Sequence, residues 1–416
     1  MWVGGFLVGT AVVLLRVTAS GASVNSLWAE DGSIFLAQSR TDGVASVGHT
    51  YAGYLHVLPR SLALVTAEVP LRWSPLAVTV LAAMTLSAMA LVATYAVSGH
   101  VRHPVLRILL CVYVVLLPAG PETIGSIANL HWTLLFLAVC VLLWDPATRV
   151  GRTLSCAVLF VAATSNPLGL VLVPLALVRL AALGRRAAPQ LVALSVGAGL
   201  QSLAMVSSGG RDTAPFAQPF RIGVWYVGDV LPTAVFGSAL TQRSDPGVSP
   251  VSAALGIVVL VVLVGAALVL RQEGPRRARP VALICLAYSV LLYASLASLA
   301  GMAPGRYSVP AVLLLLLAGL VVLDAVLDSR RLRQAWKAGG ASRVGLALVA
   351  VVGVGLATSV PALPARSAGP AWEREVKRAQ SDCTDAPGEG ASLRIPPGDT
   401  WTDTTWTVDL PCEAVT

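Results

Sequence analysis

YSVPAVLLLLLAGLVVLDA, residues 307–325, decides the fold class. At about 1.5 Å of rise per residue, a helix of that length crosses most of a hydrocarbon layer roughly 30 Å thick. Leu, Val and Ala follow one another without strict alternation, which is the pattern of a spanning helix and not of a barrel strand. Working outward, comparable apolar runs occupy 2–19, 76–98, 104–120, 131–145, 152–165, 167–183, 189–206, 251–270, 281–300 and 344–360. The chain therefore reads as an all-α polytopic membrane protein with about eleven transmembrane helices. Its composition agrees, with 56% hydrophobic and only 12% charged residues among 416.

If the spans alternate, Arg102, Arg107, Arg149, Arg152, Arg185, Arg186, Arg271, Arg276, Arg277, Arg279, Arg330, Arg331, Arg333, Lys337 and Arg343 share one side. The positive-inside rule makes that side the cytoplasm, with the N-terminus cytoplasmic and the C-terminus outside. The net charge of +8 is then mainly an orientation signal. No basic stripe with interleaved aromatics supports a nucleic-acid partner. Of 29 basic residues only Lys337 and Lys377 are lysines, and with abundant Ala, Val and Leu this is the usage of G+C-rich bacterial genomes. The expected location is a bacterial inner or plasma membrane, with membrane lipids as neighbours. Residues 2–19 read as a retained helix and not a cleaved signal, since no basic segment precedes them, and Arg16 is expected to snorkel outward.

Two domains follow: a transmembrane domain, 1–360, with long outer loops at 20–75 and 207–250, and an extracytoplasmic tail, 361–416. Cys111, Cys140, Cys156 and Cys285 lie in spans, where a thiol acts as a small apolar filler. Cys383 and Cys412 stand alone in the outer tail and are expected to pair, stabilising it by roughly 3 to 4 kcal/mol on the chain-entropy model. A charged helical patch, Trp372–Gln380, and strand-like segments 393–395 and 405–410 make that tail a small disulfide-closed lid. In the first outer loop Asp31 can cap a short interfacial helix from Gly32 to Ala37, and 51–69 reads as an interfacial or re-entrant helix.

Polar residues that break the apolar pattern converge on the outer face: Trp28 with Glu30 and Asp31, Asn129 with His131 and Trp132, Asn166-Pro167, Arg211-Asp212, and Arg306-Tyr307. Glu30 and Asp31 are either loop carboxylates or a general base held in reach of a hydroxyl. They could also ligate a divalent cation, Mg or Mn, as hard oxygen donors. Arg306 is either a snorkelling arginine or a clamp for phosphate oxygens at the start of a helix. His56, Arg60 and Tyr307 are further candidates for lipid-phosphate contact. Trp28, Asn129, His131, Trp132 and Asn166 could bind a sugar or acceptor by hydrogen bonding and stacking, and Asn166-Pro167 also has the composition of a tight turn. Arg211 and Asp212 could be no more than a loop ion pair. The middle thirds of the spans carry essentially no Asp, Glu, Lys or His, which favours a site at the outer face over an ion-coupled path.

Glu30-Asp31 after the first helix, the Phe35 and Ala37 helix, the segment Tyr54-Leu55-His56-Val57-Leu58-Pro59, and Arg306-Tyr307-Ser308-Val309-Pro310 together resemble GT-C type membrane glycosyltransferases. The layout is similar to that of protein mannosyltransferases and aminoarabinose transferases. Many relatives carry Asp-Glu or a lone Asp where this chain has Glu-Asp-Gly, and larger soluble domains than this tail. The resemblance implies inverting, carboxylate-assisted transfer of a sugar from a polyprenyl-phosphate carrier to a cell-envelope glycan or lipid acceptor. Asp31 would be the first choice for the carboxylate and Glu30 the second, with Arg306 on the leaving phosphate. A flippase of lipid-linked sugars is the first alternative, suggested by the short, Pro-interrupted pair at 152–183. A non-catalytic envelope assembly protein that docks through its tail is the second.

Overall fold

The computed structural model describes residues 2–19, 24–209, 218–238, 248–273, 278–301, 305–328, 353, 369–386, 388–397 and 406–415. Six of its helical segments are long and apolar enough to cross a membrane: Trp2–Ala19, Leu71–Gly99, Pro167–Arg186, Ala188–Ser207, Ala278–Ala300 and Gly305–Leu327. Shorter apolar helices, Val57–Ala67, Pro104–Leu116, Leu130–Leu143 and Pro250–Gly265, fill out the bundle. The expected span at 344–360 falls outside the described residues except at 353, and Arg211 and Asp212 fall outside them.

In chain order the helices are α1 (Trp2–Ala19), a π-turn at Asp31–Leu36 running into α2 (Ala37–Asp42), α3 (Val57–Ala67), α4 (Ser74–Ala96), α5 (Pro104–Leu116), α6 (Leu130–Leu143) and α7 (Arg149–Ser165). There follow α8 (Val173–Leu183), α9 (Ala188–Ser207), α10 (Pro219–Trp225), α11 (Leu231–Phe236), α12 (Pro250–Glu273), α13 (Ala278–Ala300), α14 (Gly305–Leu327) and α15 (Trp372–Asp385). Local chemistry sets several ends. Proline occupies the first turn of α4, α5, α8 and α9, where its missing N–H costs nothing, and the Thr148 hydroxyl accepts the Gly151 N–H to cap α7. α5 stops at Leu116, short of the expected 120, because Leu117 precedes Pro118 and turns left-handed, φ 37°.

The bundle is organised around α6, in which every residue is buried. A helix apolar on all sides belongs at the centre. α4, α7 and α14 pack around it, α13 pairs with α14, α7 with α9, and α1 with α4. Arg16 does not snorkel outward: it is buried, and its Nη1 donates to the Leu117 carbonyl at 3.2 Å. The left-handed turn at Leu117 leaves that carbonyl without a helical donor, which gives the guanidinium an interior partner.

Two small antiparallel sheets are present among the described residues. β1 (Thr50–Tyr51) pairs with β2 (Tyr54–Leu55), closed by a two-residue turn whose Ala52 and Gly53 both have positive φ, the twist a tight hairpin favours. β3 (Ala391–Arg394) pairs with β4 (Thr407–Leu410). Cys383 at the end of α15 is disulfide-bonded to Cys412, beyond β4. This tail sits on the first loop. Trp372 is fully buried, its indole N–H donates to the Leu71 carbonyl at 2.8 Å, and its backbone N–H donates to Asn25 O. Ala29 N–H reaches Pro396 O at 2.8 Å, and Gly32 lies so close to Ile395 and Val408 that a Cβ would meet each at 2.8 Å.

Asp31 does not cap the short helix as expected. Its carboxylate turns away from its own N-terminal turn to accept hydrogen bonds from residues about a hundred positions further on.

Candidate functional site

Five chain segments end at one cleft with an empty volume of about 810 Å³, open to the surroundings. The loop after α1 contributes Glu30 and Phe35; the β1–β2 hairpin and its exit, Tyr51, Tyr54 and His56; the start of α6, Asn129, His131 and Trp132. The α7–α8 break adds Asn166, and the α13–α14 corner adds Leu296, Leu299, Arg306 and Tyr307. The structure thus brings together Glu30, His56, Asn129, His131, Trp132, Asn166, Arg306 and Tyr307 from across residues 30–307.

The acidic pair divides. Asp31 has no exposed surface; its Oδ1 accepts from Ala128 N–H at 2.7 Å and from the Ser126 hydroxyl at 3.1 Å. A buried carboxylate is stable only when so satisfied, and here it ties the first loop to the segment leading into α6. Glu30 is half-buried and faces the cleft. What separates the two is Ala29, left-handed at φ 37°, a conformation that costs a non-glycine residue roughly 1 kcal/mol and is held here by the Ala29–Pro396 hydrogen bond.

One wall is a ladder of rings. Phe35 meets Tyr51 at 6.0 Å and His56 at 5.5 Å between centroids; Tyr54 stacks on His56 at 4.1 Å; His56 meets His131 edge-on at 5.6 Å; His131 lies 4.2 Å from Trp132, and Trp132 5.1 Å from Tyr307. Such faces suit the stacking of a flat, partly apolar ligand. Burial, with His131 and Arg60 close by, holds the His56 imidazole well below its usual range against a weaker opposing effect of the Tyr54 carbonyl, so the ring is neutral. The hairpin is anchored by Leu55 N–H to Gln201 Oε1 at 3.2 Å, and α3 by Leu58 N–H to the Ser165 hydroxyl at 2.9 Å.

Polar edges project between the rings. Asn129 uses both ends of its amide: Nδ2 donates to Ser126 Oγ at 3.0 Å and Oδ1 accepts from the Trp132 indole at 3.2 Å. Asn166 accepts the Leu168 N–H at 3.0 Å, the helix-breaking turn expected of Asn-Pro, while its Nδ2 has no partner among the described residues although only 1% of the residue is exposed. His131, 5% exposed, likewise has neither ring nitrogen in a well-formed hydrogen bond among the described residues. Buried polar atoms of this kind are uncommon, and both residues line the cleft.

Arg306 opens α14. Its backbone N–H donates to Glu122 Oε1 at 2.9 Å, and Gly120, φ 58°, comes so close that a Cβ would lie 2.9 Å from the Arg306 Cα. The guanidinium lies over the Tyr307 ring at 5.7 Å and makes no ion pair among the described residues. A fixed backbone thus presents a charge whose donors are uncommitted among the described residues.

Trp28 and Arg60 do not line the cleft. Arg60 is fully buried behind Phe35, 5.2 Å above that ring, with Nη1 on Gln38 Oε1 at 2.7 Å. It supports the wall and its charge bears on His56. Among the described residues no group of three or more His, Cys, Asp or Glu is placed to hold a metal ion. Sequence reasoning missed Ser126, Glu122, Tyr51 and the apolar edge of Leu296, Leu299 and Ala300. The signal for the first two was the polar interruption at 118–129, of which only the last residue stood out. Compared with protein-family models, curated proteins and solved structures, the chain matches none of them.

Proposed function

We propose that this is a membrane glycosyltransferase of GT-C type that moves a sugar from a polyprenyl-phosphate carrier to an envelope glycan or lipid on the extracytoplasmic side. The observation that supports it is the meeting, in one cleft at the ends of membrane helices, of an accessible carboxylate at Glu30, a guanidinium at Arg306 that makes no ion pair among the described residues, an aromatic wall and an apolar edge at Leu296 and Leu299. Glu30 takes the reactive role in place of Asp31, whose carboxylate is enclosed.

In this reading the acceptor hydroxyl gives its proton to Glu30 while its oxygen bonds the anomeric carbon, and the bond from that carbon to the phosphate oxygen breaks on the opposite face, so configuration inverts. The electron pair leaves with the polyprenyl phosphate, whose charge Arg306 holds by charge-assisted hydrogen bonds, reinforced by the first turn of α14. Leu296, Leu299 and Ala300 give the polyprenyl chain an apolar path from the lipid. About eleven spans, with the tail and the cleft outside, belong to the same proposal.

The test is transfer from a labelled polyprenyl-phosphate sugar pool in membranes carrying wild type, Glu30→Gln, Asp31→Asn or Arg306→Ala at matched protein levels. Loss of product in Glu30→Gln and Arg306→Ala supports transfer; unchanged product in both sinks it. One feature favours the flippase alternative: α7 and α8 are broken at Asn166-Pro167 and the break lines the cleft, as in transporters with discontinuous helices. Movement of the labelled lipid between leaflets, unaffected by Glu30→Gln and without a new glycosidic product, would put transport first.

A further inference from the structure

The side chains of the cleft left over after transfer chemistry is assigned are enough to say what kind of sugar fits, an inference that rests on the function proposed above. Only Glu30 and Arg306, among the lining residues, carry full charges. Glu30 must accept a proton and Arg306 must hold phosphate, so neither is spare. What remains facing the sugar position is uncharged: His56, kept neutral by burial, together with His131, Asn166 and the tyrosine-rich wall.

The remaining atoms have definite demands. Asn166 Oδ1 already accepts from Leu168 N–H, and the atom left without a partner among the described residues is the buried Nδ2, a donor. A neutral imidazole at His131 supplies one donor and one acceptor, and neither nitrogen is in a well-formed hydrogen bond among the described residues. A hydroxyl is both donor and acceptor and matches such a ring; a neighbouring hydroxyl or ring oxygen accepts from Nδ2. A carboxylate would enter a buried site lacking a second cation, and an ammonium would meet the Nδ2 donor without a second anion, each paying desolvation without a counter-charge. Stacking on Tyr54 and Trp132 adds contact with the C–H face of a pyranose or furanose and asks for no charge.

We propose that the sugar taken by this cleft is uncharged and hydroxyl-rich, with hydroxyls read by His131 and the Asn166 amide, and that acidic and amino sugars are rejected at this position.

The experiment uses the full chain in lipid nanodiscs, without acceptor, and measures dissociation constants by native mass spectrometry for four probes. These are one polyprenyl phosphate carrying a neutral hexose, a hexuronic acid or an aminodeoxyhexose, and the same carrier without sugar. The neutral-sugar lipid is expected to bind about tenfold or more tightly than each of the other three. Equal or tighter binding of the acidic or amino form, or of the bare carrier, overturns the proposal while leaving lipid-phosphate recognition intact. Failure of all four to bind takes down this inference and the proposed function together. Asn166→Asp keeps an oxygen for Leu168 N–H and exchanges the free donor for an acceptor, so it should erase the neutral preference and favour the amino sugar. His131→Phe keeps the ring contacts with His56 and Trp132 and should lower neutral-sugar affinity alone, leaving the bare carrier unchanged. A neutral preference undiminished in both variants overturns the assignment of these two residues.

Discussion

Among the described residues two aspartates are buried, and they do the same work in different company. Asp31 accepts Ala128 N–H at 2.7 Å and the Ser126 hydroxyl at 3.1 Å; Asp324, near the C-terminal end of α14, accepts Arg102 N–H and His103 N–H at 2.8 Å each. Each fastens one chain segment to another where helices end and backbone donors would be orphaned. At the Asp324 corner the nearest acidic neighbour, Asp328, pairs with the Arg102 side chain at 3.7 Å. At the Asp31 corner the neighbour is Glu30, whose side chain lines a cleft with Arg306 and two polar groups that lack a partner among the described residues. A carboxylate satisfied by backbone donors is a fastening, and the reactive candidate is the neighbour that the fastening aims.

The largest effect should therefore come from Glu30. Glu30→Gln preserves size and removes the proposed base; on that proposal transfer falls at least a hundredfold, the lower end of what a positioned general base contributes, with thermal stability close to wild type. Asp31→Asn should cost folded protein in addition to activity. If Asp31→Asn folds normally and loses more turnover than Glu30→Gln, the roles are reversed and the comparison breaks.

The Asp31 corner is also braced from outside, by the tail, in a way the Asp324 corner is not among the described residues. The disulfide closes Cys383 to Cys412 across 29 positions, for which chain entropy gives about 3 to 4 kcal/mol of local stabilisation. Replacing both cysteines with serine should leave the helical bundle folded and free the tail, so that limited proteolysis cuts first within 388–415. Because Pro396 holds the strained Ala29, kcat should drop several-fold with little change in the apparent affinity for lipid. An unchanged kcat would show that the tail covers the first loop without positioning it.

How much of this was open to reading in the sequence depends on the range of the interaction. Apolar runs are local, and every expected span that falls among the described residues has a helix within it, although Leu117-Pro118 ends α5 early and only six helical segments have the length and apolarity to cross. Candidate polar residues at helix ends converged on one cleft because alternation of spans brings alternate ends together. The split between Glu30 and Asp31 was not legible, since it depends on Ser126 and Ala128, which are distant in sequence, and on a positive φ at an alanine, a residue type that gives no hint of it. Arg16 was misjudged for a similar reason: its partner is a carbonyl freed by a turn a hundred residues away. The pairing of Cys383 with Cys412 was readable because only two cysteines lie in a polar segment.

Removing either fastening should cost less than breaking the tail. Asp324→Ala leaves two buried N–H groups unsatisfied and is expected to lower stability by about 1 to 3 kcal/mol with turnover per folded molecule unchanged. Asp31→Ala should cost a similar amount and also lower turnover, because Glu30 is then no longer aimed. Thermal melting in detergent followed by activity per folded molecule separates the two; equal loss of specific activity at both corners would mean that neither aims anything.

The smallest effect concerns pH and again distinguishes the ends. Burial depresses the His56 imidazole, so the folded chain keeps it neutral where an unfolded chain would protonate it. Below the ordinary histidine range near 6.5 the unfolded state holds more protons, and stability is lost as pH falls, by at most about 1.4 kcal/mol per unit from this one group. At higher pH both states are neutral and the contribution is flat. Hydrogen exchange at pH 5.5 against pH 7.5, corrected for intrinsic rates, should show weakened protection in 50–60, where His56 stacks on Tyr54 and donates from Nδ1 to the Tyr54 carbonyl at 3.2 Å, and little change at Arg102 and His103 on the Asp324 side. His56→Phe keeps a ring in the ladder and should remove that acid sensitivity. Equal loosening of both corners in acid, or persistence of the effect in His56→Phe, would place the sensitive group elsewhere and leave His56 as a wall residue only.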